Sequence, residues 1–457
     1  MNRSNRYNKR YLGKDYIVSN DTWITHLNNN DLVVGSSGSS KTGSIVYPQL
    51  KSLKDSSLIV ADTKGRLAKM FTSDLEARGY NVKVLDFVNP EKSCKYNPLA
   101  YIRKNSNGDY REQDIAKVAA ALVPEDAHSE AFWPMSARKY LEFFIAFVLM
   151  KLPEEKHNML EVTNFYSFYM SGGDTSSYVN DFVRAHPYSL VAKRHAQILA
   201  SKTADKTRAS IMTFVSMALA PFEYAECSEL FTYRYETSYV TKSRSGSQTA
   251  EEDEWDYVDD DFWDCLDDEE QLVLSDNVLD IAALGREKTV LFLNISDCDH
   301  SMDQVVNLFY TQTLQTLIAE ADKNKDGQLK IPVRIIMDDF ASSAVIPDFD
   351  KIISVVRSRD IWLTMCIQSF TQLESLYNHT QAQTIINNCD HIVYLGSNDL
   401  ESAYFIGTRV NKSQETVLCM DREYEYILES GKLGKLVRKI PSYGFTLEDE
   451  SDFEMGA

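Results

Sequence analysis

The chain has 457 residues, a formal net charge of −19, and apolar and charged fractions of 44% and 25%, which indicates a globular protein of two or three domains. Its seven cysteines are scattered and none has C-x-x-C spacing, which argues against both a disulfide framework and a zinc site. The most apolar run, residues 143–150, is too short to cross a bilayer. We therefore predict a chain without a transmembrane segment.

The negative charge is concentrated in two segments. Thirteen Asp and Glu lie within residues 251–270 and five within 445–457, and neither segment contains Lys or Arg. The rest of the chain is close to neutral, so the net charge says little about nucleic-acid contact. We predict a disordered acidic segment over 236–271 and an acidic tail over 445–457. Aromatic residues in the former (Trp255, Phe262 and Trp263) leave open that it docks on a partner.

The chain begins with the opposite charge. Residues 1–30 form a predicted basic arm that carries Arg3, Arg6, Lys9 and Arg10. Two interpretations stay open for this arm. It could contact anionic lipid headgroups or an acidic partner, or it could be a solvated terminus.

The segment from residue 31 to residue 43 is typical of a phosphate-binding loop. A short apolar strand runs into a turn of glycine and serine, followed by Lys41 and Thr42. In such loops backbone N–H groups cradle phosphates, the lysine neutralises the β/γ charge and the Thr hydroxyl binds Mg²⁺. Ser40 occupies the position of the motif's second glycine, where a serine fits if its φ is negative. The predicted nucleotide-binding residues are Gly35, Ser36, Ser37, Gly38, Ser39, Ser40, Lys41 and Thr42.

Strand and helix patterns alternate in two parts of the chain, which are separated by a long helical region. Residues 31–105 read as a first αβ part, residues 106–235 as helices with scarcely any strand signal, and residues 272–444 as a second αβ part. We predict an α/β fold with a central, mostly parallel sheet that is interrupted by an inserted all-α domain. The predicted strands are 32–34, 57–61, 82–87, 289–295, 333–337, 362–367 and 391–395.

Paired carboxylates end the strand at 333–337. At the carboxyl end of a parallel strand beside a phosphate loop, the first carboxylate serves Mg²⁺ and the second polarises the attacking water. We assign Asp338 to the metal, together with Thr42, and Asp339 to catalysis. Hydrolytic motors more often use Glu in the second position, so Asp339 reaches less far.

Three further polar residues follow in the sequence. Gln368 ends the next strand, where it could sense the γ-phosphate or simply cap a turn. Arg357 and Arg359 could act in trans on a neighbouring subunit's site, because such a charge stabilises the transferring phosphoryl group. Surface ion pairs are the alternative for both arginines.

Together these segments resemble the type IV coupling proteins of conjugative DNA transfer, the TraG/TraD-like group of the FtsK–HerA class of P-loop motors. Thr63 and Arg66 depart from that family's pattern, in which a proline and an acidic residue are usual. The segments that carry the resemblance are Gly35–Thr42, Leu58–Gly65, Tyr96–Leu99, Phe132–Trp133, Asp338–Ala341, Ile346–Phe349, Val356–Arg359, Ile367–Ser369, Asn388–Asp390 and Tyr394–Gly396.

The resemblance implies a RecA-like P-loop NTPase domain that uses ATP and Mg²⁺, with Asp339, Gln368, Arg357 and Arg359 as catalytic residues. It implies a hexamer that moves single-stranded DNA without reading its sequence and that recruits relaxase and other relaxosome proteins. The protein would work at the cytoplasmic face of the cell membrane. A separate membrane-anchored channel partner would hold it there.

Two other functions stay open at this stage. Ser40 and Asp339 are both off the commonest motor pattern, which favours a nucleotide-gated receptor or adaptor with weak ATP hydrolysis. A chromosome-partitioning or repair motor of the same fold is a further alternative. DNA-stimulated hydrolysis separates the motor from the adaptor.

Overall fold

The computed structural model describes residues 9–124, 132–171, 175–200, 205–232, 235–237, 272–274, 277–340 and 345–446. The strands are β1 Lys9–Gly13, β2 Tyr16–Ser19, β3 Asp31–Gly35, β4 Ser57–Ala61, β5 Asn81–Asp86, β6 Tyr235–Thr237, β7 Leu272–Leu274, β8 Thr289–Asn294, β9 Val333–Met337, β10 Ile361–Ile367, β11 His391–Gly396, β12 Tyr424–Glu429 and β13 Lys435–Arg438. The helices are α1 Thr22–Thr25, α2 Tyr47–Lys51, α3 Arg66–Ala77, α4 Glu112–Leu122, α5 Phe132–Lys151, α6 Met159–Ser171, α7 Thr175–Ala185, α8 Leu190–Ala200, α9 Asp205–Glu223, α10 Ser228–Phe231, α11 Asp303–Asp322, α12 Phe349–Val355, α13 Phe370–Leu376, α14 His379–Asn387, α15 Leu400–Val410 and α16 Gln414–Leu418.

Within the described residues, a nine-stranded sheet forms the centre of the fold, in the order β13-β12-β11-β3-β10-β9-β4-β8-β5. The strands from β11 to β5 are parallel, whereas β12 and β13 are added antiparallel at one side of the sheet, with β13 at its edge. Strands β3, β4, β8, β9 and β10 are buried at every position, because helices cover both faces of a parallel sheet. The predicted α/β class and mostly parallel sheet are confirmed.

Helices α4 to α10 follow β5 in the chain and precede β8. The middle of α5 is buried on all sides, from Tyr140 to Leu149, which is typical of a helix at the centre of a bundle. Helices α4, α6, α8 and α9 pack around it. The rings of Phe147 and Phe165 stack at 4.1 Å between centroids. The domain boundaries drawn from the sequence stay predictions.

The segment after β5 joins this helical layer to the sheet. The hydroxyl of Tyr96 donates to Gln312 Oε1 of α11 at 2.6 Å, and its ring meets Phe309 edge-on at 5.6 Å. The side chain of Asn97 accepts from the Leu99 N–H at 3.0 Å and donates to His157 O at 2.7 Å. Buried amides and hydroxyls with such partners fix one arrangement of the two layers.

The amino end of the described chain is folded against the sheet. Strands β1 and β2 form an antiparallel hairpin, and Leu12 joins a core cluster with Val33 and Val393. Arg10 is 2% exposed, so it does not belong to a solvated or lipid-binding arm as the sequence suggested. The sequence misleads here because the acidic partner of Arg10 lies on a different strand. Arg3 and Arg6 fall outside the described residues.

That partner is Asp31, the first residue of β3, which is fully buried. Its carboxylate accepts from Arg10 Nε and from Arg334 Nη1 of β9, each at 3.1 Å. Arg334 also donates to Thr364 Oγ1 of β10 at 2.9 Å. Arg10 Nη2 donates to His391 Nδ1 of β11 at 3.0 Å. Burial, and then the charge of Arg10, lower the pKa of His391 to about 4, so this imidazole is neutral at pH 7.

None of the helices in the described ranges is long and apolar enough to cross a membrane. The predicted acidic segment lies outside the described residues from 238 to 271, and so does the acidic tail from 447 onward.

Replacing Asp31 tests how much this network contributes to the stability of the fold. We expect Asp31→Asn to lower the free energy of unfolding by about 3 kcal/mol or more, because two guanidinium groups then stay buried without a countercharge. The measurement is urea unfolding followed by circular dichroism. Asp181→Asn is the matched control, since Asp181 is 66% exposed beside Arg184 and should change stability by less than about 1 kcal/mol. Equal effects of the two variants would contradict the assignment.

Candidate nucleotide site

The loop that follows β3 is shaped by its own backbone. Ser39 N–H donates to Ser36 O at 3.1 Å, and Ser36 N–H donates to Gly396 O at the end of β11 at 3.0 Å. A Cβ on Gly35 would lie 2.3 Å from Ser39 Oγ and 3.0 Å from Leu395 Cβ, so a larger residue there would force these neighbours to move. Gly38 has a φ of +77°. Consecutive amides in such a turn, at the start of a helix, form an anion-binding concavity.

Ser40 closes this loop in a left-handed conformation, with a φ of +73°. The condition under which a serine was expected to fit here, a negative φ, is therefore not met. At this residue the chain turns from the loop into the π-helical turn Thr42–Val46, and Ser40 O already accepts from Ser44 N–H at 2.8 Å. The turn needs positive φ whichever residue occupies it, which costs a non-glycine residue about 1–2 kcal/mol.

Lys41 and Thr42 meet the carboxylates that follow β9. Lys41 is buried, and its Nζ donates to Gly35 O at 2.8 Å and lies 3.9 Å from Asp339 Oδ1. Thr42 Oγ1 donates to Asp338 Oδ2 at 2.8 Å. Two segments almost 300 residues apart in the chain thus form one constellation, because the carboxyl ends of parallel strands meet at one edge of the sheet.

Asp338 is a buried carboxylate whose pKa is raised. Burial is the largest cause and the charge of Asp339 adds to it, while the Thr42 hydroxyl and Lys41 act in the opposite direction. A hydroxyl and a carboxylate are hard oxygen ligands of the kind that Mg²⁺ takes, with its other positions filled by water and phosphate. No group of three or more His, Cys, Asp or Glu that could hold a metal lies within the described ranges. The Thr42 hydroxyl and the Asp338 carboxylate, 2.8 Å apart, fit Mg²⁺ that arrives with a nucleotide.

Asp339 also has a left-handed backbone, with a φ of +51°. Its backbone N–H donates to Asp338 Oδ1 at 3.2 Å, which fixes the Asp338 carboxylate relative to the backbone of Asp339. Asp tolerates this region better than Glu does, because its short side chain can bond locally. The choice of Asp over the commoner Glu thus agrees with the backbone conformation at this position.

Gln368 directly follows β10, the strand that lies between β3, which precedes the loop, and β9, which precedes the carboxylate pair. Ile367 pairs with Val34, so Gln368 is level with Gly35, and its exposed side chain lines the same cleft as Lys41. The structure therefore brings Gln368 to the predicted site.

Arg357 and Arg359 do not line this cleft. Both precede β10 and so lie at the opposite, amino edge of the sheet. Arg357 Nη2 donates to His26 O at 3.0 Å, and Arg359 Nε pairs with Asp322 Oδ1 at 2.9 Å. A role in trans on a neighbouring subunit stays a prediction.

The cleft around the loop has a volume of about 690 Å³. Part of its wall is the turn after β4, where Asp62 accepts from the backbone N–H groups of Arg66 and Ala68 at 3.0 Å and so caps α3. Several lining residues were not predicted as site residues, and for those outside this turn the sequence gives no signal, because tertiary packing alone brings them here. These lining residues are Asp62, Thr63, Lys64, Arg66, Leu67, Met70, Asp297, Ser442 and Tyr443.

Comparison with known proteins decides the family. Residues 1–242 and 266–416 match the model of the family described as type IV secretory system conjugative DNA transfer. The chain belongs to this family. The resemblance predicted from the sequence is confirmed, and a role in conjugative DNA transfer follows from it. No curated protein sequence matches the chain.

Solved structures of coupling proteins share the fold. The plasmid coupling protein TrwB in complex with ADP and Mg²⁺ is 13% identical, with a TM-score of 0.58 over 90% of this chain and 85% of that chain. The trigonal form of TrwBdeltaN70 in complex with sulphate gives a TM-score of 0.59 at 13% identity over the same shares of the two chains. VirB4 of Thermoanaerobacter pseudethanolicus gives a TM-score of 0.50 at 12% identity over 96% of this chain and 97% of that chain.

The left-handed Ser40 generates a stability prediction. We expect Ser40→Gly to raise the free energy of unfolding by about 0.5–1 kcal/mol, because relief of the strained φ exceeds the extra entropy of glycine in the unfolded chain. The measurement is chemical denaturation without nucleotide. The control is Ser37→Gly, since Ser37 is an exposed residue of the same loop with negative φ. If Ser40→Gly raised the free energy of unfolding no more than the control does, backbone strain at Ser40 would be contradicted.

Proposed function

We propose that this coupling-family chain is an ATPase that recruits the relaxase–DNA complex and drives DNA into a type IV secretion channel. The single observation that carries the proposal is the convergence of Lys41, the Thr42–Asp338 pair and Asp339 at one edge of the sheet. This convergence supports a site in which the loop, the lysine, the metal-binding pair and the water-polarising carboxylate of phosphoryl transfer lie in one cleft, with the arginine left to a neighbouring subunit.

In this proposal each residue of the cleft has a role that follows from its position. The loop amides bind phosphate, and Lys41 holds positive charge at the β/γ end. Thr42 and Asp338 would hold Mg²⁺, which when bound neutralises charge on the transferring phosphoryl group. Asp339 orients and polarises the attacking water, and Gln368 contributes from the neighbouring strand. The side chain of Asp339 is 35% exposed, so water reaches it from solvent.

The motor acts as an oligomer in this proposal. In such a hexamer Arg357 or Arg359 of one subunit would complete the cleft of the next; in their own chain neither residue lines the cleft. Basic side chains in the channel would grip the phosphate backbone of single-stranded DNA without reading bases. A membrane-anchored channel component would hold the assembly at the cytoplasmic face of the membrane.

Removal of the Lys41 charge tests hydrolysis. We expect wild-type protein to show ATPase activity that rises with DNA, and Lys41→Ala to reduce it at least 100-fold, because that ammonium group neutralises charge in the transition state. The assay is phosphate release with and without single-stranded DNA. Lys412→Ala, an exposed lysine outside the cleft, is the control. Absence of DNA-dependent hydrolysis above the Lys41→Ala level would remove the motor function.

Asp339 allows a charge test that preserves its backbone. Asn tolerates left-handed φ as Asp does, so we expect Asp339→Asn to fold normally, to bind nucleotide, and to lose most hydrolysis. Asp348→Asn is the matched control, because Asp348 has a φ of +56° and its side chain is 58% exposed beside Lys351. Single-turnover hydrolysis and nucleotide affinity are measured for both. Retention of full hydrolysis by Asp339→Asn would exclude Asp339 as the group that polarises water.

The second candidate function is a nucleotide-gated receptor that hydrolyses ATP weakly. The specific observation in its favour is that Ser40 and Asp339, the two residues off the motor pattern, are both held in left-handed conformations. The DNA-dependence assay above decides between the two functions. Nucleotide binding without DNA-stimulated hydrolysis would favour the receptor.

A further inference from the structure

The segment after β13, residues 440–446, returns across the helix that follows the phosphate loop; we call it the C-terminal strap. Tyr443 N–H donates to Gly43 O at 3.1 Å. A Cβ on Gly43 would lie 2.0 Å from Ser442 Oγ and 3.2 Å from Ser442 Cα. The strap and the start of that helix are thus in direct contact, and glycine at position 43 makes the contact possible.

Tyr443 is held in an unusual conformation at this contact. Its φ is +57°, which is rare for a large side chain and is characteristic of ligand-binding positions. The ring meets Tyr47 edge-on, with centroids 5.4 Å apart and an interplanar angle of 77°. Two residues further on, Phe445 packs edge-on against Tyr11 of β1 at 4.8 Å. The strap is therefore anchored on both sides of Tyr443.

Despite these anchors, Tyr443 is 49% exposed, and it lines the nucleotide cleft. The phosphate loop gives the cleft a direction, because Lys41 serves the β/γ end of a nucleotide and the amides at the start of the helix serve the α end. Asp339 and Gln368 mark the γ end. Tyr443 touches Gly43, one residue beyond Thr42, and so lies toward the α-phosphate, on the side where the sugar and base extend.

A second side chain with an exposed apolar surface lines the cleft from α3. Met70 is 51% exposed and lines the same cleft. Its neighbour Phe71 meets Tyr47 edge-on at 5.2 Å, so Tyr47 packs against both α3 and the strap. An aromatic ring and a polarisable thioether are surfaces on which a flat heterocycle packs well.

We infer that Tyr443 stacks on the base of the bound nucleotide, with Met70 as a further apolar contact in the same cleft, so that the C-terminal strap forms the base subsite of this ATPase. The inference rests on the proposed function, because it needs a nucleotide in the cleft. Tyr443 acts in binding and positioning and takes no part in the transfer of the phosphoryl group. A stacking surface accepts any base, so adenine and guanine nucleotides both fit.

The test compares a ligand that has a base with one that has none. Affinities of a non-hydrolysable ATP analogue and of inorganic triphosphate, both with Mg²⁺, are measured by calorimetry on the full chain. We expect Tyr443→Ala to lower the affinity for the analogue about tenfold, because one base–aromatic stack is lost. The affinity for triphosphate should change less than twofold. Tyr443→Phe, which retains the ring, should bind both ligands as wild type does.

Tyr404→Ala is the matched control, because Tyr404 is 68% exposed and lines a different groove. Equal weakening of both ligands by Tyr443→Ala would overturn the inference and leave the strap a scaffold for the loop. Unchanged affinity for the analogue would also overturn it. In either case, binding of the ligands by the wild-type protein would still support the proposed nucleotide site. Failure of the wild-type protein to bind either ligand would overturn the proposed function as well.

Discussion

Asp31 and the two guanidinium groups bound to it hold the amino edge of the sheet together. The carboxylate stands at the start of β3, Arg10 comes from the hairpin, and Arg334 comes from β9. Contacts with Thr364 and His391 add β10 and β11 to the same network. Burial makes any unpaired member of this network costly, so the strands have one relative register.

The register of these strands also determines which residues meet at the carboxyl edge of the sheet. Because β3, β10 and β9 are aligned at their amino ends, the residues just past their carboxyl ends arrive together as the loop, Gln368 and the carboxylate pair. Helices cover both faces of the sheet, so this edge is where a ligand can reach its strands. The stability of one edge and the chemistry of the other thus depend on the same strand pairing.

Several residues with strained backbone conformations line the cleft. Among the described residues, seven non-glycine positions have positive φ, and Ser40, Asp339 and Tyr443 of these line the cleft. They lie on three segments far apart in sequence, and each is fixed by neighbours on both sides. Such strain persists only where surrounding structure determines the conformation. In this chain the surrounding structure therefore holds the loop, the acidic pair and the strap in set positions around the cleft.

The strand pattern could be predicted because buried parallel strands are continuous apolar runs; Val333–Met337 is both the predicted and the observed strand. The phosphate loop and Asp338 were likewise recognisable, since each follows such a run directly. The φ of Ser40 was not, because side-chain size does not report a backbone angle that the turn imposes. Arg10 was misread since its countercharge is on another strand, and Tyr443 carried no local signal at all.

By itself, the sequence determined the α/β class, the loop and the acidic pair, because local periodicity and residue chemistry express these within a few neighbouring positions. Tertiary structure alone decided that Arg10 is buried against Asp31, that Arg357 and Arg359 lie away from the cleft of their own chain, and that the strap returns over Gly43. Each of these depends on the pairing of segments distant in the chain, and the physical reason is that strand order and register bring together residues whose local patterns are independent of one another.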